Sequence, residues 1–289
     1  MRAKPECIPC CLRQIIATAS RITPDEAVHE ELVRRGMRLL LESSLSKTPA
    51  EISTALFRLT AEALKADDPY APEKERYNRE AIALYPRLRR QIAESRDPLR
   101  TAVLLAVAGN LIDLGIMVPM AVDDVVAGVL RKGLARDSLM ELRRDLAAAN
   151  SLLYVGDNAG EIAFDRLLIE EIRREYPALG VTFVVKSGPA MNDATLSDAD
   201  AVGMSAVAEV IESGGAYLGV PLNESSPAFW ERYRRAGVVI AKGHANYETL
   251  DEAPRPALYF LVTVKCGIVA NTTGARIGDS ILIQPSLAP

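Results

Sequence analysis

The character of the chain changes at Asn150, and that change constrains the fold more than any other feature. Beyond it, short apolar and β-branched runs recur at Ser151–Val155, Val181–Val185, Val238–Ala241, Leu258–Val264 and Ser280–Ile283. A stretch with helical spacing, Glu161 to Tyr176, lies between the first two. Strands alternating with helices imply a mostly parallel sheet covered on both faces. In such sheets ligands bind beyond the carboxyl ends of the strands. The residues just after each strand are therefore the candidates for function.

The first 145 or so residues read almost entirely as helix. Apolar spacing marks a helix from Cys10 to Ser20. Thr23-Pro24-Asp25-Glu26 and Thr48-Pro49-Ala50-Glu51 are helix-start signals, with Pro and acids in the first turn. The loop Asp67–Pro72 precedes a charged helix over Glu73–Ser95, and Asp97-Pro98 opens an apolar helix ending near Gly115. Two more helices are expected over Val122–Lys132 and Asp137–Ala149. The predicted architecture is α/β: an N-terminal all-helical domain, 1–148, packed on a Rossmann-like three-layer α/β/α domain, 149–289. The apolar stretch Thr101–Val122 holds Asn110, Asp113 and Pro119, so it reads as a buried helix and not a membrane span.

Charge and motif content exclude several classes. The net charge is −4 with 5% aromatic residues, which argues against nucleic acid as a partner. Residues 1–150 carry a net +2 and residues 151–289 a net −6, so the acidic half is compatible with a cation site. No P-loop, dinucleotide-binding G-x-G-x-x-G or nucleophile-elbow G-x-S-x-G occurs. The two histidines, His29 and His244, form no zinc-protease motif. Four cysteines are too few for a disulfide scaffold, and a cytoplasmic location is expected. The cluster Cys7-Ile8-Pro9-Cys10-Cys11 is open to a structural, a redox or a metal-binding reading.

The segments after the strands are rich in hard oxygen donors and lysines. Gly156-Asp157-Asn158-Ala159-Gly160-Glu161 succeeds the first strand and leads into a helix whose free N–H groups suit phosphate. Lys186 to Thr195, with Asn192 and Asp193, succeeds the second. Lys242-Gly243-His244-Ala245-Asn246 and Thr263-Val264-Lys265 come at the ends of two later strands. Taken singly, each is as well explained by a turn, a helix cap or a solvated loop. Their convergence on one sheet edge favours a site where carboxylates hold Mg²⁺ or Mn²⁺ and lysines neutralise phosphate. Asn110 and Asp113 share a face of the apolar helix, either bonded to a neighbouring helix or closing the mouth of that site.

Together G-D-N-A-G-E-I-x-x-D (Gly156–Asp165), G-P-A-M-N-D-A-T (Gly188–Thr195), K-G-H-A-N-Y-E-T-L (Lys242–Leu250) and T-V-K (Thr263–Lys265) resemble the damage-control phosphatases, long catalogued as domain of unknown function 89. P-E-C-x-x-C and A-G-N-x-I-D (Ala108–Asp113) are similar to a subgroup with paired N-terminal cysteines. The resemblance implies a helical domain on a Rossmann-like domain, and a phosphatase of small phosphorylated metabolites that uses a divalent metal, Mn, Mg, Co or Ni. It implies Asp157, Asn158 and Asp193 as metal ligands, and the Lys242–Asn246 loop (Lys242, Gly243, His244, Asn246) with Lys265 as phosphate holders. His244 stands where relatives often carry another polar residue.

The mechanism expected is metal-assisted phosphate-ester hydrolysis, with Asp157, Lys242 and Lys265 catalytic and water favoured over Asp157 as nucleophile. Glu161 or Asp113 would orient that water, and Asn110 and Asn192 would contact substrate. No membrane partner is expected, and no oligomeric state can be read from the sequence. Two rival functions are an S-adenosylmethionine-dependent methyltransferase, disfavoured because Lys186 ends the second strand, and a non-catalytic sensor of a metal and a phosphometabolite.

Overall fold

Alternation along the strands decides the layers. A computed structural model of the protein describes residues 1–112 and 119–285, without the side chains of residues 110–112, 119–123 and 125. In β2 (Ser151–Val155), Leu152 and Tyr154 enter one hydrophobic core while Leu153 and Val155 enter another. The same two-residue period runs through β5 (Val238–Lys242) and β6 (Leu258–Thr263): Ile240, Tyr259 and Leu261 face the first core, and Val239, Ala241 and Phe260 the second. A sheet buried on both faces needs helices on both, and it has them.

Among the described residues the sheet has seven strands in the order β1-β7-β6-β5-β2-β3-β4. The remaining strands are β1 (Arg136–Asp137), β3 (Gly180–Val185), β4 (Glu209–Glu212) and β7 (Ser280–Ile283). All neighbours pair parallel except β6 and β7, which are antiparallel. The chain leaves β2 toward β3 and β4, then returns to the other side of β2 as β5. The crevice between β2 and β5 is thus the topological switch point.

Helices α1 (Cys7–Ala19), α2 (Glu26–Glu42), α3 (Pro49–Ala63), α4 (Ala71–Ala93), α5 (Pro98–Ile112), α6 (Pro119–Lys132) and α7 (Leu139–Ala148) precede β2. Their starts obey the sequence signals. Asp25 caps α2 through the Ala27 N–H at 2.9 Å, and Thr48 and Glu51 bond reciprocally at the start of α3. In α5, Leu99, Ala102, Val103, Leu105, Ala106 and Ala108 are fully buried against the sheet layer, as the apolar run requires. Among the described residues, no helix is long and apolar enough to cross a membrane.

The remaining helices are α8 (Glu161–Glu175), α9 (Leu196–Ala201), α10 (Pro227–Arg235), α11 (Gly243–Leu250) and α12 (Gly267–Thr273). The first core joins α4, α5, α7 and α8 to one face of the sheet, so the helical half and the sheet share one interior. The second core places α10, α11 and α12 on the other face. Each fully buried aliphatic or aromatic side chain contributes about 2 kcal/mol. A separate core of α1, α2 and α3 includes Cys7, Cys11, Ile15, Leu32, Ile52 and Leu56.

The sequence reading misses β1, β4 and the helices α9, α10, α11 and α12. The first is two residues long, and β4 is an edge strand, Glu-Val-Ile-Glu, with few apolar positions. The stretch after Lys242, expected as a loop, is the first turn of α11; Gly243 at φ +77° opens it directly from the strand.

Candidate active site

The loops after β2 and β3 are joined by backbone hydrogen bonds. Ala159 N–H donates to the Asn192 carbonyl at 2.9 Å, and Ala194 N–H to the Asp157 carbonyl at 2.8 Å. Asn158 and Asp193 thereby form an isolated antiparallel bridge beyond the ends of both strands. Helix α4 clamps this junction from the helical half. Gly160 N–H donates to Asn78 Oδ1 at 2.7 Å, and Asn78 Nδ2 donates to Asp198 Oδ1 at 2.8 Å. Lys74, almost fully buried, pairs with Asp68 at 2.8 Å and Asp198 at 3.4 Å. Gly160 has φ +77°, and a Cβ there would lie 2.7 Å from Tyr77 Cβ, so only glycine lets α4 approach.

The end of β5 closes the junction from below. A Cβ on Gly243 would lie 1.8 Å from Asp157 Oδ2, at a backbone φ of +77°. The missing side chain is what admits the Asp157 carboxylate to the switch-point crevice. Asn246, fully buried one turn into α11, donates to the Gly156 carbonyl at 2.9 Å and to the Lys242 carbonyl at 2.7 Å. It ties the ends of β2 and β5 together.

Behind the junction lies a fully buried ionic network. Lys242 Nζ donates to the Ala106 carbonyl of α5 at 2.9 Å, to Glu161 Oε1 at 2.5 Å and to Asp165 Oδ1 at 2.7 Å. Tyr154 donates its hydroxyl to the same Asp165 oxygen at 2.7 Å. Burial pushes the Asp165 carboxyl up to about 6 against the pull of Lys242. Burial alone would lower Lys242, but Asp165 and Glu161 outweigh it and hold the ammonium charged. Glu161 Oε2 in turn accepts from Asn158 Nδ2 at 3.1 Å, which connects the network to the junction.

In front of the junction opens a cavity of about 610 Å³. Asp157, Asn158, Asn192, Asp193, His244 and Lys265 line it on the sheet side. Asp157 and Asp193 are 7% and 3% exposed, yet each is a carboxylate with others nearby. Burial, then Glu161 and Asp193, push the Asp157 carboxyl well above the usual range, with Lys265 and Lys186 opposing. Burial lifts Asp193 to about 6, and Lys186 is the main restraint. Lys186, itself buried, donates to the Gly219 carbonyl at 2.6 Å and stands 3.5 Å from Asp193 Oδ2. Among the described residues that oxygen has no closer donor, and Thr263 Oγ1 at the end of β6 is buried without a partner. His244 Nε2 accepts the Lys265 N–H at 3.0 Å; burial and then Lys265 lower its imidazole to about 4, so it is neutral at physiological pH.

The residues of this corner that could hold a divalent cation are Asp157, Asn158 and Asp193. Asn158 Nδ2 donates to Asp157 Oδ2 and Glu161 Oε2, both at 3.1 Å, which leaves Asn158 Oδ1 as the amide donor toward a ligand. Two carboxylates and an amide oxygen form a hard donor set suited to Mg²⁺ or Mn²⁺. The raised carboxyls show two carboxylates crowded in a buried corner, and Asp193 Oδ2 meets its nearest ammonium, Lys186, only at 3.5 Å.

The expected residues separate into two groups. Asp157, Asn158, Asn192, Asp193, His244 and Lys265 meet in the cavity wall. Lys242, Glu161, Gly243 and Asn246 stand behind it: Lys242 directs all its hydrogen bonds to Ala106, Glu161 and Asp165, and Gly243 and Asn246 shape the backbone under Asp157. Asp113 and the Asn110 side chain lie outside the described residues. Sequence reasoning missed Lys74, Asn78 and Asp198, and it gave no role to Lys186 as partner of Asp193. The Thr195-x-x-Asp198 spacing was a usable signal, since Thr195 N–H and hydroxyl both donate to Asp198 Oδ2. It also missed the α1 wall, Arg13 and Gln14, and Glu248, which burial lifts to about 7.

Comparison with known proteins bears on the family and the fold. Residues 3–281 match the model of the damage-control phosphatase ARMT1-like domain. An uncharacterised protein of Methanocaldococcus jannaschii is 34% identical, the alignment covering 98% of this chain and 96% of that protein. A Pyrococcus horikoshii protein named as a damage-control phosphatase is 32% identical over 94% of each chain. The crystal structure of a DUF89 family protein from Pyrococcus horikoshii superposes with a TM-score of 0.91 at 30% identity, covering 98% of this chain and 99% of that one. The fold, the motif order and these matches agree: the chain belongs to the ARMT1-like damage-control phosphatase family.

Proposed function

We propose that the protein is a divalent-metal-dependent phosphomonoester hydrolase acting on small phosphorylated metabolites. The observation that carries this reading is the joined corner of Asp157, Asn158 and Asp193, buried carboxylates and an amide facing a cavity that also holds Lys265. Two similar proteins are named damage-control phosphatases, which supports the reaction class. The cavity, about 610 Å³, has the size of a small-metabolite site.

Asp157, Asn158 and Asp193 would hold the cation. When bound, it supplies Lewis-acid polarisation of the phosphoryl group. Lys265, exposed at the cavity wall, neutralises a phosphate oxygen, and His244 orients the Lys265 backbone through its N–H. Lys186 stays behind Asp193 as its counter-charge. Lys242 acts at one remove: it fixes Glu161, which fixes Asn158. As a ligand Asp157 would be less available to attack, which favours water as the nucleophile.

The test is phosphate release from an aryl phosphate and a panel of sugar phosphates, run metal-free and with Mg²⁺, Mn²⁺, Co²⁺ or Ni²⁺. Release that needs a divalent cation is expected. No release with any of them, from protein shown by titration to bind the cation, overturns the hydrolase reading in favour of a sensor.

A further inference from the structure

All four cysteines of the chain line the cavity in front of Asp157. Cys7, Cys10 and Cys11 come from the first turns of α1; Cys266 directly follows Lys265 and precedes α12. All four are free thiols, and the proposed phosphatase chemistry uses none of them. They are not equivalent. Cys10 is exposed. Cys7 is buried, accepts the Lys4 N–H at 3.5 Å, and its thiol is pushed up by burial. Cys11 is buried 3.4 Å from Ser53 Oγ, and burial lifts it to about 11.

Cys7 and Cys10 sit three residues apart in one helix, on one face. Helix geometry sets their Cα atoms about 5 Å apart. A disulfide needs about 4.4–6.8 Å, so rotation of two side chains suffices. Cys11, adjacent to Cys10, points to the α3 side, where Ser53 is.

We propose that Cys7 and Cys10 form a redox-active dithiol in the wall of the cavity, which a hydroperoxide oxidises to an intrahelical disulfide that slows phosphate-ester turnover. The effect on turnover rests on the phosphatase reading; the dithiol itself does not. With hydrogen peroxide, the Cys10 thiolate attacks one peroxide oxygen, the O–O bond breaks, and the leaving hydroxide takes up a proton as water. The Cys10 sulfenic acid is then attacked by Cys7 sulfur. The S–S bond forms, the S–O bond breaks, and the Cys7 proton leaves with the oxygen in a second water. The two thiols lose two electrons, which the peroxide gains. Exposure assigns the roles, with Cys10 attacked first and buried Cys7 resolving. Cys7, Glu248, Lys265 and Cys266 line the same cavity, so moving the Cys7 sulfur alters the wall that also holds Lys265.

The full-length protein is treated with limiting hydrogen peroxide, alkylated, and its peptides are weighed. The expected result is loss of two hydrogens confined to the peptide joining Cys7 and Cys10, unchanged in Cys266→Ser, absent in Cys10→Ser, and reversed by dithiothreitol. Metal-dependent phosphate release is expected to fall several-fold on oxidation and to recover with dithiothreitol, while Cys10→Ser loses nothing further under peroxide. A bridge to Cys266 or Cys11, both thiols surviving as long as free glutathione, or a Cys7–Cys10 bridge with unaltered turnover overturns the proposal. A bridge in protein that hydrolyses nothing overturns only the phosphatase reading and the rate effect that depends on it.

Discussion

Lowering the pH from about 7 to about 5 sets protons in competition with a divalent cation for the carboxylates of Asp157 and Asp193. Asp193 is lifted to about 6 by burial, and Asp157 is lifted well above its ordinary value by burial, Glu161 and Asp193. Below its pKa, each such carboxyl weakens cation binding about tenfold per pH unit. From about pH 7 to about pH 5, Asp193 alone raises the dissociation constant about tenfold, about 1.4 kcal/mol, and Asp157 acts in the same direction. The same groups shape the stability of the metal-free protein. Both folded pKa values lie above the unfolded ones, so the native state binds more protons; for Asp193 this holds between about pH 4 and about pH 6, and its stabilising contribution is lost as pH rises through that window. For Asp193 the loss is about 3 kcal/mol. A cation at about 100 times its dissociation constant returns about 2.7 kcal/mol. The assay is calorimetric titration with Mn²⁺ at both pH values, beside thermal unfolding with and without Mn²⁺. Equal affinity at the two pH values, or undiminished binding in Asp193→Asn, refutes the assignment of these carboxylates.

Three further substitutions separate the parts of the site. Gly243→Ala puts a Cβ within 1.8 Å of Asp157 Oδ2 at φ +77°, so it is expected to abolish cation binding by titration and to cost about 2 kcal/mol or more in urea unfolding. Lys242→Met leaves Glu161 and Asp165 buried without their cation; a loss of about 3–5 kcal/mol in denaturant unfolding is expected, and an unchanged midpoint counts against the network. Lys265→Ala removes an exposed ammonium, so KM for a phosphate ester should rise about tenfold or more with the melting temperature held within a few degrees.

The strands nearest the site were legible because each is an apolar run buried on both faces. Ser151–Val155, Val181–Val185 and Val238–Ala241 fall on sheet strands, and Leu258–Val264 does so up to Thr263. The edge strands β1 and β4 were not, because an exposed or charged edge carries no such run. At the site, Asp157, Asn158 and Asp193 could be named from the loops after β2 and β3, since a parallel sheet presents those loops together. The direction of Lys242 could not. It ends β5 beside the switch point, and whether its long side chain turns outward to phosphate or inward depends on Glu161 and Asp165, one turn apart on a helix whose packing the local sequence does not specify. The contribution of α4 was hidden for the same reason: Lys74 and Asn78 are unremarkable on a charged helix until Gly160 and Asp198 are brought against them. The four cysteines, three near one end of the sequence and one near the other, give no sign of sharing a cavity until α1 packs beside the end of β6.

The most direct test of the central claim is Mn²⁺-dependent phosphate release by wild-type protein and by Asp157→Asn, at matched melting temperature and circular dichroism. Asn keeps the shape of the side chain and removes the buried carboxylate proposed to hold the cation. The expected result is turnover in the wild type and none in the folded variant, with Mn²⁺ binding weakened in parallel. Wild-type turnover by folded Asp157→Asn contradicts the account.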